Sequence, residues 1–550
     1  PTVTPKPAAP APTKAPAAAP SPTEPAAKPA PTKPTAKPAP ATPAPAAPSP
    51  SPKPAGEQPK YGGILRVATQ GDPRSFDIQA ETSNVVGYPV APAYSGLIQS
   101  DPTAPEKLIP DLAEKWEASA DGKVYTFHLR KGVKWHDGKP FTSADAKFSV
   151  ERLKEKQSHV NFILALATKI EAPDDSTLKI TLDHGTSGFI SAMSLLWAAM
   201  GPKHVIEAKG DLKRDVVGTG AFKFKSFSAG VSFELVKNED YFIKGRPYLD
   251  GIVVYPIRDG ASRFAALRTK QVDLLGPLSL SHAQAKALKE GSPEARVQRV
   301  TYGYWFLFYM PVDKEPWSDV RVRRAVALAI DHQNALKVVD EDIGDVWTPI
   351  PPALGGIPPD ELLKTPGYRQ PKDQDIAEAK KLLAEAGYPN GFETKMLYRM
   401  GQIYETLAIF MKDQLTKIGV KAEIYTMEDA AYYDLYYSKK WHSLATRSPL
   451  EFGDPDALLP QYYRTGGDRN FSNVSDEQLD KLIDEQSRTA DPAKRKQLVY
   501  QADKRILEMA YNVVTHWSSF DIGYWPYVKN FTAPLSLYND FRHIETWLAK

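Results

Sequence analysis

The sequence predicts a mixed α/β body of more than one lobe, preceded by a long proline-rich spacer. Three observations carry that expectation. Alternating apolar–polar runs recur between amphipathic helical runs from residue 61 to the end of the chain. The length of 550 residues suits two or three domains at roughly 100–200 residues each. Residues 1–59 hold 21 prolines and no aromatic residue, so they cannot bury enough apolar area to offset their ordering entropy.

The spacer is expected to be disordered, biased to polyproline II, and ~180 Å long if fully extended. Its place before a compact body suggests a surface tether leading to a membrane anchor. The body opens at GGILRVAT (62–69), a glycine turn and a strand. VYTFHLRKGVKWHDG (124–138) alternates with period two and turns at Asp137-Gly138, which predicts an antiparallel hairpin. SADAKFSVERLKEK (143–156) reads as a helix capped by Ser143, and TLKITLD (177–183) as a strand. GAFKFKSFSAGVSFELVKN (220–238) reads as two strands joined at Ala229-Gly230. Helical spacing recurs at 262–270, 320–330, 376–391, 403–418, 475–488 and 492–510, and AEIYT (422–426) is a strand after Gly419.

Charge and composition exclude several function classes. The net charge is +3; the spacer, with six Lys and two Glu, carries +4 of it, so the body carries −1. A body without basic excess does not point to nucleic acid. No run of about 18 uncharged apolar residues is present. Without cysteine there is no disulfide framework, zinc finger or thiol nucleophile. The phosphate loop, HExxH and GxSxG patterns are missing, and no two of the ten His stand three or four apart. His136-Asp137 at a turn is expected to be structural, and no cofactor is expected. What the chain does offer is aromatic surface, with 10 Trp and 26 Tyr, clustered at 301–309, 431–441 and 515–525. Such walls suit a small-solute site, although strand alternation assigns about half of them to the core.

PDLAEKWEASADGKVYTFHLRKGVKWHDGKPFTSADAKFSVERL (110–153) resembles the signature segment of the extracytoplasmic solute-binding proteins of the peptide and nickel class. Further resembling pieces follow in family order: VVGTGAFKFKSF (216–227), NEDYFIKGRPYLDGIVVYPIRD (238–259), DVRVRRAVALAID (319–331), GDPDALL (453–459) and RNFSNVSDEQLDKLIDE (469–485). The resemblance spans residues 61–550. It implies a two-lobed periplasmic-binding-protein fold of type II with an extra subdomain and a hinge cleft. Lobe I is expected at 60–104, 206–301 and 520–550, the subdomain at 105–205, and lobe II at 302–519. The crossings are expected near Thr301–Trp305 and Thr515–Phe520.

The implied function is a non-enzymatic receptor of an ATP-driven importer. It would sit outside the cytoplasm as a monomer, pass its solute to membrane permease subunits, and take a peptide. A nickel chelate, oligosaccharide or opine is the alternative within the family, and a peptide hydrolase a remote one. The crossings make Tyr302, Tyr304, Trp305, His516 and Trp517 candidate solute contacts. In resembling peptide receptors an acidic residue before the Asp-Pro step takes the α-ammonium, which here is Glu451. A basic residue near LYRMGQIYE (397–405) takes the carboxylate, which makes Arg399 a candidate, beside Tyr398. Arg447 departs from the family pattern, and either neutralises Glu451 or binds an anionic group. Asp454 and Asp456 are expected to serve a turn.

Overall fold

The computed structural model describes residues 57–81, 83–155, 160–186, 188–449, 453–489, 491–534 and 541–550. The spacer up to residue 56 and Glu451 lie outside them, and of Tyr302 only the backbone is described.

Two long antiparallel strands, Arg296–Tyr309 and Asn512–Tyr524, organise the body. Arg296–Val300 pairs with Tyr524–Phe520, and Tyr304–Tyr309 pairs with Ser518–Asn512; the register breaks between Val300 and Tyr304. An eleven-stranded sheet extends from both sides of this pair. Beside Asn512–Tyr524 come Leu274–Leu275, Ile64–Thr69 and Gly251–Pro256, then the hairpin of Ser232–Lys237 and Phe222–Ser228. Beside Arg296–Tyr309 come Ser443–Pro449, Glu393–Arg399 and Lys421–Met427. Each side contains a parallel set: Ile64–Thr69 with Gly251–Pro256 and Leu274–Leu275, and Glu393–Arg399 with its two neighbours. These two sides are the sheets of a two-lobed α/β fold.

The lobe containing Glu393–Arg399 is packed on both faces. Phe306, Phe308, Met396, Ala445 and Val513 meet helices Val320–Ala329, His332–Asp340 and Gln402–Thr416 on one face. Trp305, Leu307, Tyr309 and Trp517 meet Tyr432, Tyr436 and Tyr462 on the other. Strand alternation produces this division, since successive side chains point to opposite faces. A separate four-stranded antiparallel sheet runs Ala113–Ala118, Val124–Leu129, Thr177–Leu182, Ala167–Asp174. Its buried Tyr125, Phe127, Leu129, Leu178, Ile180 and Leu182 fall at every second position, as the sequence pattern requires.

Three local expectations need correction. Val124–Leu129 is a strand, but its partners are Ala113–Ala118 and Thr177–Leu182, not residues 133–138. Gly132, at φ 75°, turns the chain away, and Asp137-Gly138 closes a small antiparallel turn of its own, in which Trp135 N donates to Lys139 O, Phe141 N to Val133 O, and Lys134 bridges Pro140. Ser143 is the first residue of the Ser143–Glu155 helix, not its cap; its hydroxyl donates to the Asp174 carbonyl, while the Asp145 carboxylate accepts from the Thr142 N–H. Asp454 and Asp456 do more than shape a turn, as their ion pairs below show.

Candidate functional site

In open α/β sheets ligands gather at the carboxyl ends of parallel strands, where loops and helix starts leave polar groups unused by the ladder. The three parallel strands around Glu393–Arg399 end at Arg399, Met427 and Pro449. Tyr304 pairs with Pro449 on one side and Ser518 on the other, so the register break of the long strands lies at the same edge. Ile64–Thr69 and Gly251–Pro256 likewise run with their carboxyl ends toward this break, since Leu274 pairs with Tyr524 and Leu280 bridges Asp521. Both parallel sets therefore aim at one zone between the lobes.

Arginines dominate this edge. Arg399 Nη1 and Arg447 Nε both donate to the Tyr404 hydroxyl, at 3.2 and 3.3 Å. Tyr404 stands in the first turn of the Gln402–Thr416 helix, three residues after Gly401 at φ 138°. Arg447 lies over the Tyr304 ring at 4.1 Å, and Arg399 over the rings of Tyr404 and Tyr433 at 5.4 Å each. Tyr304, Arg399 and Arg447 are half-buried; Tyr404 is buried. Burial alone would push the Tyr404 phenol up, but the two guanidiniums outweigh it and hold it below its ordinary value. Burial works against the charge of Arg447, yet Tyr404, Tyr304 and Asp340 hold its pKa above the usual range.

Behind the edge, Asp340 at the end of its helix and His516 on the second long strand are 6% and 0% exposed. Thr515 Oγ1 donates to Phe306 O, so it accepts from His516 Nδ1 at 3.1 Å, which leaves Nε2 as an acceptor. That nitrogen lies 4.0 Å from Asp340 Oδ2, and neither atom has a hydrogen-bond partner among the described residues. Two facing acceptors are relieved when the carboxyl holds a proton. Burial pushes Asp340 up to about 6 and holds His516 down to about 3. From the other lobe, His282 Nε2 reaches to 3.9 Å from Asp340 Oδ1, while its Nδ1 contacts Asp521 at 2.9 Å.

A second polar cluster is fully matched. Arg495 grips Asp454 through two bonds of 2.6 and 2.9 Å. Asp456 accepts from Thr186 Oγ1 at 2.5 Å, Gln486 Nε2 at 2.6 Å, Ser487 Oγ at 3.1 Å and Gly188 N at 3.3 Å. Thr186 and Gly188 follow the four-stranded sheet in the chain, so this cluster ties that subdomain to the lobe across from it.

Of the residues expected at the site, Arg399, Arg447 and Tyr304 meet at the edge. Tyr398, one position before Arg399, points into the helix-packed core. Trp305 and Trp517 are buried and stack on each other at 5.7 Å, and Trp517 Nε1 donates to Thr348 O. His516 stacks on Phe306 at 4.5 Å. In this conformation these four are interior side chains, because both faces of the sheet are covered beside the crossing. His136 is held between Gly218 N and Gly220 O, and burial lowers it to about 4. Tyr404 was missed: nothing in a helical run singles out its first-turn tyrosine, although the strand–glycine–helix order places that turn at the carboxyl edge. A cavity of about 650 Å³ lies away from this edge, between His332, Tyr368 and the end of the Pro492–Met509 helix. Among the described residues no group of three or more His, Cys, Asp or Glu is arranged to hold a metal, and no helix is long and apolar enough to cross a membrane.

Residues 107–470 match the family model described as bacterial extracellular solute-binding proteins, family 5 middle. The glutathione-binding protein GsiB of Salmonella choleraesuis is 31% identical over 340 residues, covering 61% of this chain and 64% of that protein. The chain thus aligns with somewhat under two thirds of that relative's length. Among solved structures, DppA of Helicobacter pylori in complex with the peptide STSA superposes with a TM-score of 0.75 at 25% identity, covering 89% of this chain and 99% of that one. AgaA of A. tumefacien R10 in complex with agropinic acid gives 0.73 at 28% identity, with the same coverage.

Proposed function

The chain belongs to the bacterial extracellular solute-binding proteins of family 5, and from that premise we propose that it captures a peptide in the interlobe cleft and delivers it to the membrane permease of an ATP-driven importer. The family is one of binding proteins, and catalysis has no part in this reading. The observation that carries it is the convergence of both parallel strand sets on the zone where the long strands pass between lobes, with Arg399, Arg447, Tyr404 and Tyr304 along its edge.

In this reading lobe I comprises 60–104, 206–301 and 520–550, the subdomain 105–205, and lobe II 302–519, with the hinge at the register break. Closure traps the solute because a ligand touching both lobes favours the closed population. Peptide backbone pairs with unused strand-edge groups, Arg399 takes the terminal carboxylate and Glu451 the α-ammonium. Trp305, Trp517 and His516 stiffen the crossing. The spacer tethers the receptor to the outer face of the membrane, and the receptor works as a monomer. The peptide-bound DppA neighbour supports this choice. An opine-like acid is the second reading, favoured by the AgaA neighbour and by the arginine-rich edge.

Native mass spectrometry of the purified full chain, followed by release of bound material, tests the proposal. A ladder of peptide masses is expected. A single non-peptide acid would replace peptide by the second reading. Protein that carries nothing and gains no melting temperature from peptides, opines or sugars would remove the receptor assignment.

A further inference from the structure

The Tyr404 oxygen accepts from two guanidiniums, so its own proton points elsewhere, and no acceptor receives it among the described residues. Arg447 forms no ion pair with a carboxylate among the described residues; Asp340 acts on it only from beyond ion-pair distance. Its Nε goes to Tyr404 and its planar face to Tyr304, which leaves the two Nη groups without an acceptor among the described residues. They are not enclosed, since Arg447 is half-buried and contributes no sealed, unpartnered atom. A guanidinium with its Nη fork free and a phenol proton beside it is the donor pattern that fits a planar oxyanion. A half-buried cation without a matching charge is costly to a ligand-free protein, and the missing charge is supplied by whatever the site receives.

We propose that Arg447 and the Tyr404 hydroxyl form a carboxylate subsite distinct from the one assigned to Arg399, so that the solute is an acidic peptide or a comparable dicarboxylic acid. This rests on the cleft edge being the solute site. It makes Arg447 the specificity-determining residue, with Tyr304 and Tyr404 fixing the plane of its fork.

The test uses the full chain with three tripeptides carrying Glu at the first, second or third position and their Gln counterparts, together with sodium glutarate against sodium chloride at equal ionic strength. Calorimetry is expected to show a preference for Glu over Gln at one position, of at least about tenfold. Arg447→Met should erase that preference, so that Glu and Gln peptides bind alike; Tyr404→Phe should reduce it. Glutarate should raise the melting temperature of the wild type above the chloride control and not that of Arg447→Met. Without ligand, Arg447→Met should melt at or above the wild type. Equal binding of Glu and Gln peptides together with no glutarate effect overturns the subsite and leaves the peptide reading standing. A glutarate effect without tripeptide binding upholds the subsite and removes the peptide reading. An Arg447→Met protein that keeps the preference, or that melts well below the wild type without ligand, marks the arginine as structural and overturns the proposal.

Discussion

Two clusters, one around Arg495 and one around Arg399 and Arg447, are built in opposite ways. Arg495, Asp454 and Asp456 saturate one another: the guanidinium has a bidentate carboxylate, and Asp456 receives four further hydrogen bonds from side chains and backbone. Arg399 and Arg447 instead converge on one neutral hydroxyl. Buried charge holds a structure together only when geometry and hydrogen bonds repay desolvation. The saturated cluster therefore reads as a joint between subdomain and lobe, and Arg447, which meets no carboxylate among the described residues, as a group waiting for a partner.

Substitutions break this contrast from the saturated side first. Arg495→Met leaves Asp454 buried without its counter-charge and should lower stability by about 3 kcal/mol, read as a fall in the denaturation midpoint. A loss under about 1 kcal/mol would mean that the joint is not buried in solution. Gly188→Ala acts on the same joint without removing a charge. Its added Cβ would stand 2.7 Å from Asp456 Cβ, so the subdomain must draw back. If lobe closure brings these elements together, solute affinity should fall by about fivefold, or ~1 kcal/mol, with the arginine edge unchanged. Unaltered affinity would separate the joint from closure.

The smallest expected effect concerns Asp340. Its carboxyl is raised to about 6 in the folded protein, against about 3.9 unfolded. Between those values the folded state binds the extra proton, so this group's stabilising contribution is complete below about pH 4 and is lost as pH rises through about 6. Asp340→Asn removes the dependence. Its melting temperature relative to the wild type should therefore rise between pH 4.5 and pH 7.5, by ~2 °C. A constant difference across that range would mean that Asp340 is already ionised, paired with His282 from the opposite lobe. The half-buried His136 and the buried His332, His516 and His543 act the other way. Their pKa values are depressed to about 4, 4, 3 and 4, so stability falls as pH drops below about 6.5. The comparison of variant with wild type cancels them.

Much of the fold was legible because its signals are local. The alternation in 220–238 predicted the Phe222–Ser228 and Ser232–Lys237 hairpin, with Gly230 at φ 73° in its turn. The helical spacing in 475–488 and 492–510 predicted Glu477–Arg488 and Pro492–Met509, each capped by an Asp. Where a strand's partner lies far away, the same signals misled. Val124–Leu129 was legible as a strand but not as the neighbour of Thr177–Leu182, because period two says which face is buried and nothing about which strand lies alongside. Arg399 and Arg447 could be nominated from the sequence, but only as isolated candidates.

By itself the sequence determined most of the periodic elements, the Ala229-Gly230 turn, the exclusion of the familiar catalytic motifs, and the ordered pieces that mark the family. Each depends on residues a few positions apart, where backbone geometry alone decides which side chains are neighbours. The tertiary structure decided that Arg399 and Arg447 share Tyr404, that Trp305 and Trp517 face each other inside the crossing, and that Asp456 meets Thr186 across 270 residues of chain. Those meetings follow from which strands share hydrogen bonds and which helices cover them. That is a property of the whole packed sheet, and no short stretch of sequence encodes it.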